Sequence, residues 1–267
     1  MPHATYHLDP DDPHIAWIRL CRPDARNAYS DQMLDELVAA FDAAEADDGV
    51  RCVILTGDGP AFSAGGDLKA MQTHSGMFAG DAVHLRSRYL SGIHRIPRRL
   101  SRFDKPLIAA VNGPAIGAGL DLACMCDIRI AARSARFGST FIKVGLIPGD
   151  GGAYFLTRTV GFPRALELVM SGRVIDTEEA ARIGLVHTVV DDADLLTAAR
   201  KQAERLSRGA PLAVRLAKRL CYRAYESSQD LALEMAASYQ GIVQNTRDHD
   251  EGVAAILEKR RPDFTGS

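Results

Sequence analysis

Apolar and polar positions alternate along this chain in two distinct rhythms. Ile15 to Leu20 reads as a strand, and Ser30 follows as a helix N-cap with Asp31 placed to favour the helix dipole. Leu34, Leu37, Val38 and Phe41 recur at helical spacing, so the helix after Ser30 buries one face. Val50 to Thr56 is a short β-branched run ending at Gly57, which predicts a buried strand running into a turn. Leu107 to Val111, ending in Asn112-Gly113, repeats that design, and Asp127 to Ala131 is a further short strand. A helix starts near Gly151 or Gly152, and another covers Arg164 to Met170. Asp176 with Glu179 three residues on forms a capping pair, and Val186 to Val190 reads as a strand.

Beyond about Asp192 the rhythm changes to long amphipathic helices: Leu195 to Leu206, Leu212 to Tyr225, Leu231 to Val243 and Glu251 to Lys259. The break from a mixed α/β body to an all-helical tail falls near residues 195 to 205, with no low-complexity linker. The expected division is a core at 1–198 and a helical segment at 199–267.

Composition narrows the possibilities. The chain has 267 residues, 46% hydrophobic and 25% charged, which suits one large globular unit. A formal charge of -2 and the absence of a long basic block argue against a nucleic-acid partner. Arg95, Arg98, Arg99 and Arg102 lack interleaved aromatics and read as a solvated face. No apolar run approaches the roughly 20 residues that span a bilayer. The polar, Pro-rich start MPHATYHLDPDDPH is unlike a signal peptide. Five scattered cysteines, with no framework spacing, fit reduced thiols and a cytoplasmic setting. Cys124 and Cys126 have no second cysteine pair or histidine cluster nearby, so no metal site is expected.

One internal feature is more specific. GPAFSAGGDL at 59–68 and GPAIGAGLDL at 113–122 share seven of ten positions at an offset of 54 residues. Each follows a buried strand and leads into a helix, which argues for stacked strand-turn-helix units. Small residues let a substrate approach the backbone, and N–H groups at a helix start point outward unpaired. Two such turns facing one carbonyl would form an oxyanion hole suited to a thioester, whose enolate or tetrahedral intermediate carries charge on oxygen.

At this point the stretches RPDARNAYS, VILTGDGPAFSAGGDLKAM, KPLIAAVNGPAIGAGLDLACMCDIRIA and FGSTFIKVGLIPGDGG resemble the crotonase (enoyl-CoA hydratase/isomerase) superfamily, in order and at family spacing. The tail EGVAAILEKRRPDF resembles its C-terminal segment, so the likeness runs from about residue 14 to 264. The resemblance implies an α/β fold, a crotonase-like spiral of repeated ββα units with a C-terminal helical trimerisation segment. It also implies a homotrimer or dimer of trimers, and acyl-CoA thioester substrates with coenzyme A as part of the substrate and no other cofactor. By matching position, the oxyanion donors would be the N–H groups of Gly66 and Ala118. The turn containing Ala64, Gly65, Asp67 and Leu68 would contact the CoA moiety, and Lys259 would approach its adenosine phosphate.

The acids depart from the family pattern. Standard hydratases there carry a glutamate after the second glycine turn and another twenty residues later in a Pro-Glu pair; this chain has Asp121 and Phe141 at those places. Holding and activating a water is easier with two carboxylates, so the loss weakens hydration as a reading. Asp121 stands near a helix start and reads either as the proton-transfer acid or as a turn-stabilising aspartate. Asp150, in LIPGDGG, reads as the proton carrier or as an N-cap. Some isomerase- and dehalogenase-like relatives carry their working aspartate one residue earlier, where this chain has Gly149. Asp127 reads as structural, and at least one of His74, His84 and His94 is expected to line the acyl pocket.

The expected activity is therefore isomerisation or hydration of an enoyl-CoA through an oxyanion-stabilised enolate. The alternatives are acyl-CoA thioester or carbon–carbon hydrolysis on the same fold, and acyl-CoA binding without catalysis.

Overall fold

The computed structural model describes residues 1–267. Nine strands are present: β1 (Ala4–Leu8), β2 (Ile15–Leu20), β3 (Cys52–Gly57), β4 (Leu107–Val111), β5 (Ala115–Ile116), β6 (Ile128–Ala132), β7 (Arg136–Gly138), β8 (Val174–Asp176) and β9 (Thr188–Val190). Six form a sheet in the order β1-β2-β3-β4-β6-β9, parallel except for β1. The other three form a small sheet in the order β5-β7-β8.

The helices are α1 (Asp31–Ala46), α2 (Leu68–Gln72), α3 (Ala82–Ser91), α4 (Arg95–Leu100), α5 (Ala118–Met125), α6 (Gly152–Val160), α7 (Phe162–Ser171), α8 (Thr177–Arg182), α9 (Leu195–Ser207), α10 (Pro211–Tyr225), α11 (Gln229–Gln244) and α12 (Arg247–Leu257). Local chemistry sets several of their starts. The Ser30 side chain accepts from the Met33 N–H at α1, and Asp176 accepts from the Glu179 N–H at α8, as their capping patterns predict.

Both faces of the six-stranded sheet are covered. Ile18, Leu20, Val53, Leu55 and Val111 turn towards α1 and α5, while Ile15, Trp17, Ile54, Ile108 and Ile130 turn the other way. On that second face lie Leu195, Ala199 and Ala203 of α9, one turn apart. Central strands β3 and β4 are buried along their whole length, which is why their sequences read as unbroken apolar runs.

The division expected between residues 198 and 199 falls inside α9, and the residues of α9 that face the sheet make this helix part of the core. The all-helical region that stands away from the sheet is α10 to α12, which together contribute only Leu216, Asp248 and Ala255 to the buried residues.

The internal repeat corresponds to successive turns of a spiral. One copy of the glycine motif follows β3 and leads to α2, and the other follows β4, forms β5 and enters α5. A parallel bridge between Ser63 and Ala115 joins the two copies side by side, with Ser63 N–H donating to Pro114 O at 3.1 Å and Ile116 N–H donating to Ser63 O at 2.9 Å.

Candidate active site

The two glycine turns pack against each other from Ser63 to Gly65. A methyl group on Gly65 would stand 2.5 Å from Ile116 O and 2.8 Å from the Ala118 nitrogen, and one on Gly119 would stand 2.2 Å from Ser63 O. Only glycine permits this approach, and Gly65 also takes φ +80, which side chains with a Cβ rarely adopt. Neither the Gly66 nor the Ala118 N–H donates to a backbone acceptor; Gly66 lines the cavity beside the turns, and Ala118 directly follows its lining residues Ile116 and Gly117.

The copies nevertheless diverge after the glycines. In the second copy α5 begins at Ala118, directly after Gly117 with φ 55; in the first, the matching Ala64 is not helical and α2 begins only at Leu68. Asp67 and Asp121 match in the repeat but end in different surroundings. Asp67 is the N-cap of α2, accepting from Lys69 and Ala70 N–H at 3.1 and 3.2 Å, and it pairs with Arg22 at 3.2 Å. Although burial alone would raise it, these hydrogen bonds and the Arg22 charge hold its carboxyl below the usual aspartate range. Asp121 lies inside the first turn of α5, fully buried, and neither carboxyl oxygen has a hydrogen-bond partner at normal geometry.

A cavity of about 230 Å³ opens beside the turns. Tyr29, Ala64, Gly66 and Leu68 line it near the turns; Met71, Met77, Phe78, Tyr89, Ile93 and Phe141 form its apolar wall. Asp150 is the one carboxylate lining it, with Arg88 and Lys143 also at its wall. Gly151, with φ 108, occupies the N-cap position of α6 and no side chain caps that helix, so the N-cap reading of Asp150 does not hold.

Electrostatics separates the two acids. Burial pushes the Asp150 carboxyl up to about 7. Asp121 is pushed well above the carboxylate range, first by burial and then by the charge of Asp150, with only the Gly152 N–H opposing. No cation pairs with either, so the pair is best kept with one negative charge at most. Asp150 faces the cavity and Asp121 stands behind it against α6, its oxygens beside Gly152.

The Phe141 ring lies over Gly117, 3.7 Å from where a Cβ on that glycine would be. An aromatic ring therefore borders the second turn at the position where two-acid relatives are expected to carry a carboxylate. None of the three histidines lines the cavity. His84 pairs with Asp81 at 2.8 Å, His74 lies exposed, and His94 Nε2 contacts Gly149 O at 2.8 Å from outside. Lys259 follows α12 at the exposed end of the chain and is no part of the cavity wall. Tyr29, Met71, Met77 and Phe78 are wall residues that sequence reasoning did not single out. Asp127 is structural as expected: it accepts from Leu107 N–H and pairs with Lys218, each at 2.7 Å.

Comparison with known proteins matches this architecture. The model of the family described as enoyl-CoA hydratase/isomerase matches residues 12–267. A Mycobacterium tuberculosis protein named probable enoyl-CoA hydratase is 39% identical over 258 residues, covering 95% of each chain. The 1,2-epoxyphenylacetyl-CoA isomerase of Escherichia coli is 38% identical over 252 residues, covering 94% of this chain and 95% of that one. The crystal structure of an enoyl-CoA hydratase from Bacillus anthracis superposes with a TM-score of 0.91 at 36% identity, covering 98% of this chain and 99% of that one.

Proposed function

The chain belongs to the enoyl-CoA hydratase/isomerase family, and we propose that it moves a double bond in an enoyl-CoA thioester, with Asp150 carrying the proton. It is an acyl-CoA-processing enzyme of that family. The observation that carries the isomerase reading is Asp150, a solitary carboxylate on an apolar cavity wall whose pKa of about 7 suits both taking and returning a proton.

The steps follow from the residues in place. The thioester oxygen sits against the Gly66 and Ala118 N–H groups. Ionised Asp150 removes a proton from the acyl chain, and the electron pair moves through the conjugated system onto the thioester oxygen. The two N–H donors stabilise that charge, each by about 2.7–4 kcal/mol of barrier. Protonated Asp150 then returns the proton at the other end of the allylic system. One carboxylate completes this cycle, whereas adding water asks for a second group to hold and activate it. Phe141 makes that part of the site apolar.

Coenzyme A enters as part of the substrate, and proton transfer of this kind needs no metal or redox group. The turn from Ala64 to Leu68 is the proposed CoA contact, with Asp67 acting through its cap on α2 and Lys259 reaching the adenosine phosphate. No helix of the chain is long and apolar enough to cross a membrane; the proposed cytoplasmic setting rests on the five scattered cysteines, all free. Exposed Leu231, Leu233, Ile242, Val253, Ile256 and Leu257 on α11 and α12 support assembly through this segment into a homotrimer or a dimer of trimers.

Incubating the enzyme separately with 2-enoyl- and 3-enoyl-CoA thioesters tests the reading. Interconversion of the two without a gain in mass supports it. Gain of one water as the dominant reaction would replace isomerase by hydratase, and release of free CoA would point to hydrolysis.

A further inference from the structure

Tyr29 touches both glycine turns. Its backbone N–H donates to Gly65 O at 2.7 Å, and it forms a parallel bridge with Gly66. Its hydroxyl donates to Ala118 O at 3.3 Å. The side chain is 3% exposed and also lines the cavity. We propose that Tyr29 is a positioning residue that sets the spacing between the Gly66 and Ala118 N–H donors, clamping one turn with its backbone and the other with its hydroxyl.

The contacts nearby show why such a clamp is needed. At the base of the two turns, Ser63 locks them together through its hydrogen bonds with Pro114 and Ile116. Beyond Gly65 the copies diverge, because α5 begins at Ala118 while the first copy enters its helix only at Leu68. Gly66 therefore has no repeat-related ladder partner on α5, and Tyr29 supplies the link across the divergence. Tyr29 itself is fixed by its place immediately before the Ser30 cap of α1.

The hydroxyl acts as a donor and does not carry the substrate proton. Burial, then the neighbouring Asp150 and Asp121, push its ionisation well above that of an ordinary phenol. A phenolate beside two carboxyls is the least favourable charge state of this cluster, so proton transfer remains with Asp150.

This inference rests on the oxyanion reading above, and the experiment separates the two. The thioester carbonyl of a saturated acyl-CoA, labelled with carbon-13 at C1, is observed by NMR when bound to wild type and to Tyr29→Phe. The wild type is expected to move the resonance downfield of free ligand, as polarisation by two donors requires. In Tyr29→Phe that displacement shrinks, kcat falls about 10- to 100-fold with KM within about twofold, and the melting temperature drops by no more than about 4 °C. Equal displacement and equal kcat in the two proteins would overturn the role of Tyr29 alone. No displacement in the wild type would overturn the oxyanion reading and the clamp with it.

Discussion

Asp121 lies so close to Gly152 that a methyl group on that glycine would stand 2.2 Å from Oδ1 and 2.5 Å from Oδ2 of the carboxyl. The contact joins the first turn of α5 to the first turn of α6, and Asp150 precedes that turn by two residues. Gly152→Ala must therefore separate the two helices or displace Asp121. Overpacking of this kind costs roughly 1–3 kcal/mol. Denaturant unfolding should show that loss, and the surviving enzyme should turn over more slowly because the Asp150 loop has moved.

The two aspartates should respond differently to amide substitution. Asp121 is buried without a cation, which favours its neutral form, and Asp121→Asn keeps the shape and charge of that form. Its kcat should stay within about tenfold of wild type, whereas Asp150→Asn should lose about 10²-fold or more. Steady-state kinetics on a 3-enoyl-CoA checks both. An inactive Asp121→Asn that folds normally would make Asp121 the proton carrier.

Acidity gives an independent signature. Asp150 works as a base only when ionised, so kcat/KM should rise with pH through about 7 and level off above it. Stability should run the other way. With the folded-state pKa raised above the unfolded value, the native state binds the extra proton between about pH 4 and 7. Its contribution is present at low pH and is lost as pH rises through 7, by an amount on the order of a few kcal/mol. Asp150→Asn should flatten that part of the profile and be the more stable protein at pH 8, measured by urea unfolding across pH.

Phe141 marks the chemical outcome. Replacing it with Glu places a second carboxylate beside the Gly117 turn. Phe141→Glu should gain hydration of a 2-enoyl-CoA by at least about tenfold over wild type, detected as a product heavier by one water. Unchanged hydration in a folded variant would detach Phe141 from the choice between reactions.

Much of this was readable in the residues. Caps at Ser30 and Asp176 and the buried runs of β3 and β4 are local signals, and the structure places them as read. The glycine repeat pointed to two turns that do meet, and the resemblance named the family that the comparisons show. The cavity wall was harder. Helices α2 and α3 contain no buried residue, so they lack the periodic stripe that would reveal them, yet Met71 and Tyr89 there face the cavity. Strands β5, β7 and β8 have only two or three residues, too few for an alternating pattern. Asp67 and Asp121 could not be told apart by their repeat position, because the difference is where each helix starts. Leu195, Ala199 and Ala203 mark α9 as amphipathic, but only the sheet face they cover assigns that helix to the core.

Deuterium incorporation tests the central claim most directly. An enoyl-CoA incubated in D2O with wild type, Asp121→Asn and Asp150→Asn is followed by mass spectrometry. The account predicts bond migration with uptake of solvent deuterium at the acyl carbons in wild type and Asp121→Asn, and neither in Asp150→Asn. Undiminished migration and uptake in Asp150→Asn would contradict it.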